Sequence, residues 1–247
     1  MDSVTEKFSV FDFFNLIIGG IIFLLGVGSC HYAEVIAIGT VISELLSDND
    51  FLLFVAIVLF ISLSFIIGST INELAHLFFV YILQWEKRMI EGCLNNNHLI
   101  ENNIKLNVFR EKAVNHFKIK EFATCENFSV EQCTTFFAYC VYYLHVRNQD
   151  KKTEKMRETQ GLAELLTLVF ALIPITSIII YLFLGTSCLN PKPTFAIYIL
   201  CVIFACAFLN RSKRAMENRI RMVLAIYDAC IDKEKETTNH VVSQDGY

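Results

Sequence analysis

Toward the end of one long apolar stretch the chain reads Asn72-Glu73-Leu74-Ala75-His76. The glutamate and histidine have the spacing of a helical zinc site, but such a site needs two imidazoles one turn apart, and Asn72 stands where the first must be. Hydrolytic metal chemistry is therefore not expected. The same residues form a polar stripe: Ser62, Ser69, Glu73 and His76 fall within about 60° of one another on a helical wheel, facing away from the Leu, Ile and Phe majority. If several copies of the chain surround an axis, these four become pore-lining and the Glu73 carboxylates form an acidic ring that favours cations. The other reading of Glu73 is an interfacial charge paired with a neighbouring helix or with His76. Glu34, Glu44, Asp48 and Asp50 crowd the other side of the membrane with no Lys or Arg among them, which carries weight only together with the stripe.

Two basic clusters offer a different chemistry. Lys151, Lys152, Lys155 and Arg157 form one, and Arg211, Lys213, Arg214, Arg219 and Arg221 the other. Both fit topology and lipid-headgroup contact. Arg211, Arg214 and Arg221 also share a helix face, where guanidinium forks suit the phosphates of a nucleotide or oligonucleotide ligand. Cys125, Cys133 and Cys140 with His98, His116 and His145 lack any paired metal-ligand spacing, so no metal site is expected and the cysteines read as core thiols. Cys30 and Cys188, at the outer ends of two spans, are candidates for a disulfide in an oxidising compartment. No phosphate-cradling glycine loop or nucleophile elbow is present, so neither an enzyme nor a cofactor is expected.

These side chains need elements to hold them, and the composition says which kind. The 247 residues are 54% hydrophobic and 19% charged, with a mean hydropathy of +0.47. That is too apolar for an ordinary soluble domain, and a net charge of -4 argues against a nucleic-acid coat. Phe13 to Ala33, Phe51 to Asn72, Leu165 to Pro191 and Pro193 to Asn210 carry no charged residue. A bilayer core of roughly 30 Å needs about 20 helical residues, so the chain is expected to be an all-α integral membrane protein with four transmembrane helices in a 2+2 arrangement. No Lys or Arg occurs from Phe8 to Glu86, and nineteen of the 21 lie in Glu86 to Glu164 and Arg211 to Tyr247. The positive-inside rule then puts both termini in the cytoplasm. Val27-Gly28-Ser29-Cys30 has the look of a lipoprotein cleavage site, but Asp2, Glu6 and Asp12 spoil the positive start such a signal needs, so an uncleaved first span is expected.

Four regions follow. Residues 1–84 hold the first helical pair with an acidic external loop, and 85–163 a helical cytoplasmic insert. Residues 164–210 hold the second pair, and 211–247 a cytoplasmic tail helix. In the insert, Leu106, Phe109, Ala113 and Phe117 make one apolar stripe, and Val130, Cys133, Phe137, Cys140, Val141 and Leu144 another. Breaks are expected at Asn95-Asn96-Asn97, near Ser129 and at Asn148 to Lys152. Met216, Ile220, Val223 and Tyr227 share the inward face of the tail helix, and beyond Asp232 the polar sequence lacks periodicity and reads as mobile.

The opening Phe8-Ser9-Val10-Phe11-Asp12-Phe13-Phe14, then Ile18-Gly19-Gly20, with Gly68 and Glu73 closing the second span, resembles a group of bacterial four-helix membrane proteins. Those begin with an aromatic-Asp-aromatic step and a Pro-Gly, for which Ile18-Gly19 or Gly19-Gly20 stands here. The wider plan is similar to membrane effectors of antiphage systems, including the Hailong type, in which a channel subunit is paired with a nucleotidyltransferase whose nucleotide product controls it. The resemblance implies a bacterial inner-membrane homo-oligomer, tetrameric in that group, which conducts ions, depolarises the cell and answers to a cytoplasmic ligand. The alternative is a non-conducting membrane scaffold that recruits a soluble partner. A transporter would call for a helix broken at midplane or an inverted repeat, and neither is seen.

Overall fold

The structure, a computed structural model of the chain, describes residues 10–46, 50–95, 111, 114–116, 128–184 and 191–244. Among them every regular element is helical: α1 (Val10–Cys30), α2 (Tyr32–Leu46), α3 (Asp50–Leu77) running into a π-helical turn (Phe78–Leu83), α4 (Trp85–Asn95), α5 (Val130–Val146), α6 (Lys151–Leu184) and α7 (Pro191–Gln244). Four of these segments are long and apolar enough to cross a membrane: Phe11–Cys30, Asp50–Leu83, Lys151–Phe183 and Thr194–Lys233. The chain has the make-up of a multi-pass membrane protein. It divides into one unit of residues 1–79 and 161–212 and a second of 80–160 and 213–247.

In the first unit α1 and α3 cross so closely that only glycine fits at two positions. A Cβ on Gly20 would lie 1.8 Å from the Ser64 carbonyl oxygen, and one on Gly68 would lie 1.9 Å from that of Leu16. Small residues allow this approach, which gives dispersion and backbone contact where lipid removes the hydrophobic drive between helices. The register is antiparallel, with Leu16 against Gly68 and Gly20 against Ser64. Leu16, Ile71, Leu165, Val169, Ile173 and Cys201 form the buried cluster. Phe170 of α6 meets Phe204 and stacks on Phe208 of α7, with ring centres 5.1 and 5.8 Å apart.

The second unit is built on α4, α5, the start of α6 and the later part of α7. Ser129 caps α5 through a capping box: its hydroxyl accepts from the Gln132 amide, and the Gln132 side chain accepts from the Ser129 amide. Asn95, the last residue of α4, clips the entry to α5 by bonding both backbone groups of Phe128, at 2.7 and 3.0 Å. Asn148, at φ 54°, ends α5, as suits a residue that tolerates the left-handed region. Met216, Ile220, Val223 and Tyr227 are all buried, with Ile90, Leu94, Phe136 and Leu144 in the same core. On α5 the buried positions are Cys133, Phe136, Phe137, Cys140 and Leu144, while Val130 stays exposed. The stripe of Leu106, Phe109, Ala113 and Phe117 lies outside the described residues.

Three expectations need correction. The connection between the first two spans is not a plain acidic loop, because residues Tyr32–Leu46 form α2. Its run Val-Ile-Ala-Ile contains no helix breaker. The fourth span and the tail are not separate helices: α7 continues through Asn210 and Arg211, since that stretch has neither Gly nor Pro to stop it. Nor does helix end at Asp232. The backbone is helical to Gln244, in keeping with the strong helix formers Lys and Glu at 233–236.

A candidate pore-lining face on α3

The two faces of α3 differ in what covers them. Ser64, Gly68, Ile71 and Ala75 are buried, on the side that meets α1. At 100° per residue, Ser62, Ser69, Glu73 and His76 centre about 140° away from them. Ser62, Glu73 and His76 are exposed and Ser69 is half-buried. The four expected site residues therefore share one face of α3, three of them exposed and Ser69 half-buried, with exposed Thr70 and half-buried Asn72 on either side of it. The Ser62 hydroxyl donates to the Val58 carbonyl at 2.8 Å, so its own helix already satisfies it. Among the described residues neither Glu73 nor His76 forms an ion pair.

Depth follows from the α1–α3 register. Continuing it by one turn beyond Leu16 and Gly68 brings Asp12, the charged residue in the first turn of α1, level with Asn72 and next to Glu73. The carboxylate thus sits where the charge-free part of α1 begins, at one end of the span rather than in its middle. The apolar helix does not stop there: Leu77, Val80, Tyr81 and Ile82 follow, all exposed. Asp50 begins α3 at its other end. Asp48 and the side chains of Glu34 and Glu44 lie outside the described residues.

A polar cluster that no motif marks lies elsewhere in the first unit. His31, between α1 and α2, is 7% exposed and Ser177 of α6 is fully buried. Ser177 Oγ is 3.1 Å from His31 Nε2 and accepts from the Tyr198 hydroxyl of α7 at 3.0 Å. The only signal in the sequence was polar residues in apolar surroundings, each on a different element, and intramembrane polar groups of this kind are seldom idle.

The basic face is less uniform than its spacing suggests. Arg211 and Arg214 are exposed, but Arg221 binds Glu217 one turn away at 2.7 Å. Arg211 belongs to the first unit, and Arg214 and Arg221 to the second. Arg219 is tied inward, 3.4 Å from Glu86 and 3.3 Å from Gln160. Lys151, Lys152, Lys155 and Arg157 are exposed.

Among the described residues no group of three His, Cys, Asp or Glu side chains is placed to hold a metal ion. Cys133 and Cys140 are free and buried, and burial pushes the Cys140 thiol well up. The Cys93 thiol is pushed up to about 12 by burial, with Arg221 opposing and Glu217 adding to the rise. His116 Nδ1 lies 3.0 Å from the Tyr227 hydroxyl, and His145 pairs with Asp150. His98, Cys125 and Cys188 lie outside the described residues, and Cys30 is a free thiol. A shallow groove of about 260 Å³ in the second unit, lined by Gln149, Ala225, Ile226, Ala229, Cys230 and Lys233, borders none of the expected site residues. No family model, curated protein or solved structure matches the chain.

Proposed function

We propose that the chain is the subunit of a homo-oligomeric, cation-favouring channel of the bacterial inner membrane, with Ser62, Ser69, Glu73 and His76 of α3 facing a shared aqueous path. In this reading α1 and α3 form one transmembrane pair and α6 and α7 the other, with the second unit and both termini in the cytoplasm. Conduction depolarises the cell, in the manner of the antiphage effectors whose plan the chain resembles. The channel performs no covalent chemistry. The observation that carries the reading is the uncovered polar face of α3, turned away from α1. A carboxylate and an imidazole near one end of an apolar span need water beside them, and a path shared among identical copies would supply it. Helix α2 adds support: Tyr32, Val35, Ile36, Ile38 and Val41 are all exposed, and a helix apolar on so many sides needs lipid or another protein surface around it.

Gating belongs to the second unit. A ligand that binds one of its conformations more tightly shifts the closed-to-open balance by that difference in affinity. A nucleotide made by a partner nucleotidyltransferase fits Arg214 and Arg221, provided Arg221 exchanges Glu217 for a phosphate. Planar-bilayer recording of the purified chain tests the pore: conductance should appear, Glu73→Gln should lower cation preference and Ser69→Leu should lower unitary current. Silence with every nucleotide tried, or currents indifferent to both substitutions, overturns it.

One observation favours a scaffold instead. Tyr139, Tyr142 and Val146 of α5 are exposed on one helix face of the second unit, which suits contact with a soluble partner. On that reading Tyr142→Glu abolishes partner capture, and no substitution on α3 alters membrane potential.

A further inference from the structure

Helix α2 is tethered closely at both ends, by His31 alone to α1 and by residues 47–49 to α3. The register that sets Leu16 against Gly68 and Gly20 against Ser64 puts Cys30 level with Phe54. If α2 continued α1 upright, Leu46 would stand about 18 Å above Asp50, farther than the roughly 14 Å that three linking residues can reach. The helix must therefore tip toward the membrane plane. With 15 residues it is about 22 Å long, too short to cross a hydrocarbon core of roughly 30 Å. Its two acidic positions, Glu34 and Glu44, fall about 80° apart on a helical wheel, and Tyr32, Val35, Ile36 and Gly39 centre about 170° from their midpoint. Tyr32, Val35 and Ile36 are exposed, and a Cβ on Gly39 would meet nothing within 4 Å. Ser43, on the same face, already donates to the Thr40 carbonyl at 2.8 Å, so its hydroxyl does not call for water. Tyr32 is of the amphipathic aromatic type that gathers at headgroup level.

We infer that α2 is an interfacial helix bound to the outer leaflet, with Tyr32, Val35, Ile36 and Gly39 set among the upper acyl chains and positions 34 and 44 on the water side. The inference rests on α1 and α3 crossing the bilayer, as proposed above, and not on conduction. The tethers supply the reason for lipid as the occupant: a helix held at the ends of two spans and tipped over lies against the leaflet those spans cross, so its apolar face continues their lipid-facing surface. Many interfacial helices are rich in Lys and Arg and are drawn to anionic lipid. This one has neither residue. Apolar burial alone holds it, so it binds zwitterionic lipid and ignores salt.

The test uses the full native chain in phosphatidylcholine vesicles doped with a phosphatidylcholine that carries a diazirine high on one acyl chain. After illumination, mass spectrometry maps the lipid adducts. They should fall on Tyr32, Val35 or Ile36, with equal yield in low and high salt, and should miss Val41, which is exposed but lies on the acidic side of α2. A second lipid, with the diazirine near the methyl end of the chain, should label exposed Leu63 in the middle of α3 and pass over α2. Leu63 labelled while α2 stays bare with both lipids, as when water or a second copy covers the helix, overturns the inference and leaves the spans standing. Labelling of α2 by the deep probe, or of Val41 as strongly as Val35, also overturns it. Leu63 and α2 both bare remove the crossing of α3 and the inference together.

Discussion

Adding one methyl group at Gly68 should separate α1 from α3. The new Cβ would sit 1.9 Å from the Leu16 carbonyl oxygen, against an ordinary carbon–oxygen contact of about 3.3 Å, so a backbone rather than a pliable side chain must retreat by about 1.4 Å. Overpacking of this kind costs about 3 kcal/mol, and the better helix propensity of Ala offsets about 1, leaving a net loss of about 2 kcal/mol. For a chain of this size that lowers the melting temperature by about 4–8 °C. The matched control is Gly161→Ala on α6, where a Cβ meets nothing within 4 Å and propensity alone should raise the midpoint by about 2–4 °C. Thermal unfolding in detergent with a thiol-reactive fluorescent dye reads both, because Cys30 and Cys201 are buried in the same unit as Gly68. If Gly68→Ala melts at or above Gly161→Ala, the close crossing of α1 and α3 is wrong.

Three further outcomes concern the second unit, where Trp85, the only tryptophan in the chain, packs against the core and reports unfolding by fluorescence. Asn95→Ala leaves both backbone groups of Phe128 without their side-chain partner and should destabilise the unit by about 2 kcal/mol; an unchanged midpoint contradicts the clip. Ser129→Ala removes the capping box and should cost about 1 kcal/mol, while Ser129→Asp should cost far less. Burial raises the Cys93 thiol from 9.0 in the unfolded chain to about 12 in the fold, so its contribution is complete below pH 9 and is lost as pH rises from 9 to 12. Midpoints measured over that range should therefore fall less steeply in Cys93→Ala than in the native chain, and equal slopes contradict the shift.

What could be read from the chain alone was set by how far each signal reaches. Charge-free stretches mark the spans because a charge in hydrocarbon is costly wherever the neighbours are, and all four long apolar helices fall where those stretches lie. Met216, Ile220, Val223 and Tyr227 are legible as a buried face because helical period is local. Asn95 and Ser129 are visible as breaks for the same reason. The polar residues of α3 could be placed on one face from spacing, but not the fact that α1 covers the opposite one, which depends on Gly20 and Gly68 meeting backbones far away in sequence. Glu34 and Glu44 suggested a loop, yet the apolar run between them is helical. Arg219 looked like its neighbours until Glu86 and Gln160, both distant along the chain, were found beside it. The cluster of His31, Ser177 and Tyr198 draws one residue from each of three places, and no local pattern announces it.

The central claim concerns what the uncovered face of α3 looks upon in the assembled protein. A density map of the purified assembly decides it directly. It should show copies of the chain related by rotation about an axial opening, with Ser62, Ser69, Glu73 and His76 turned toward that opening. A single copy in its detergent belt, or an assembly in which those four side chains point outward to lipid, contradicts the account.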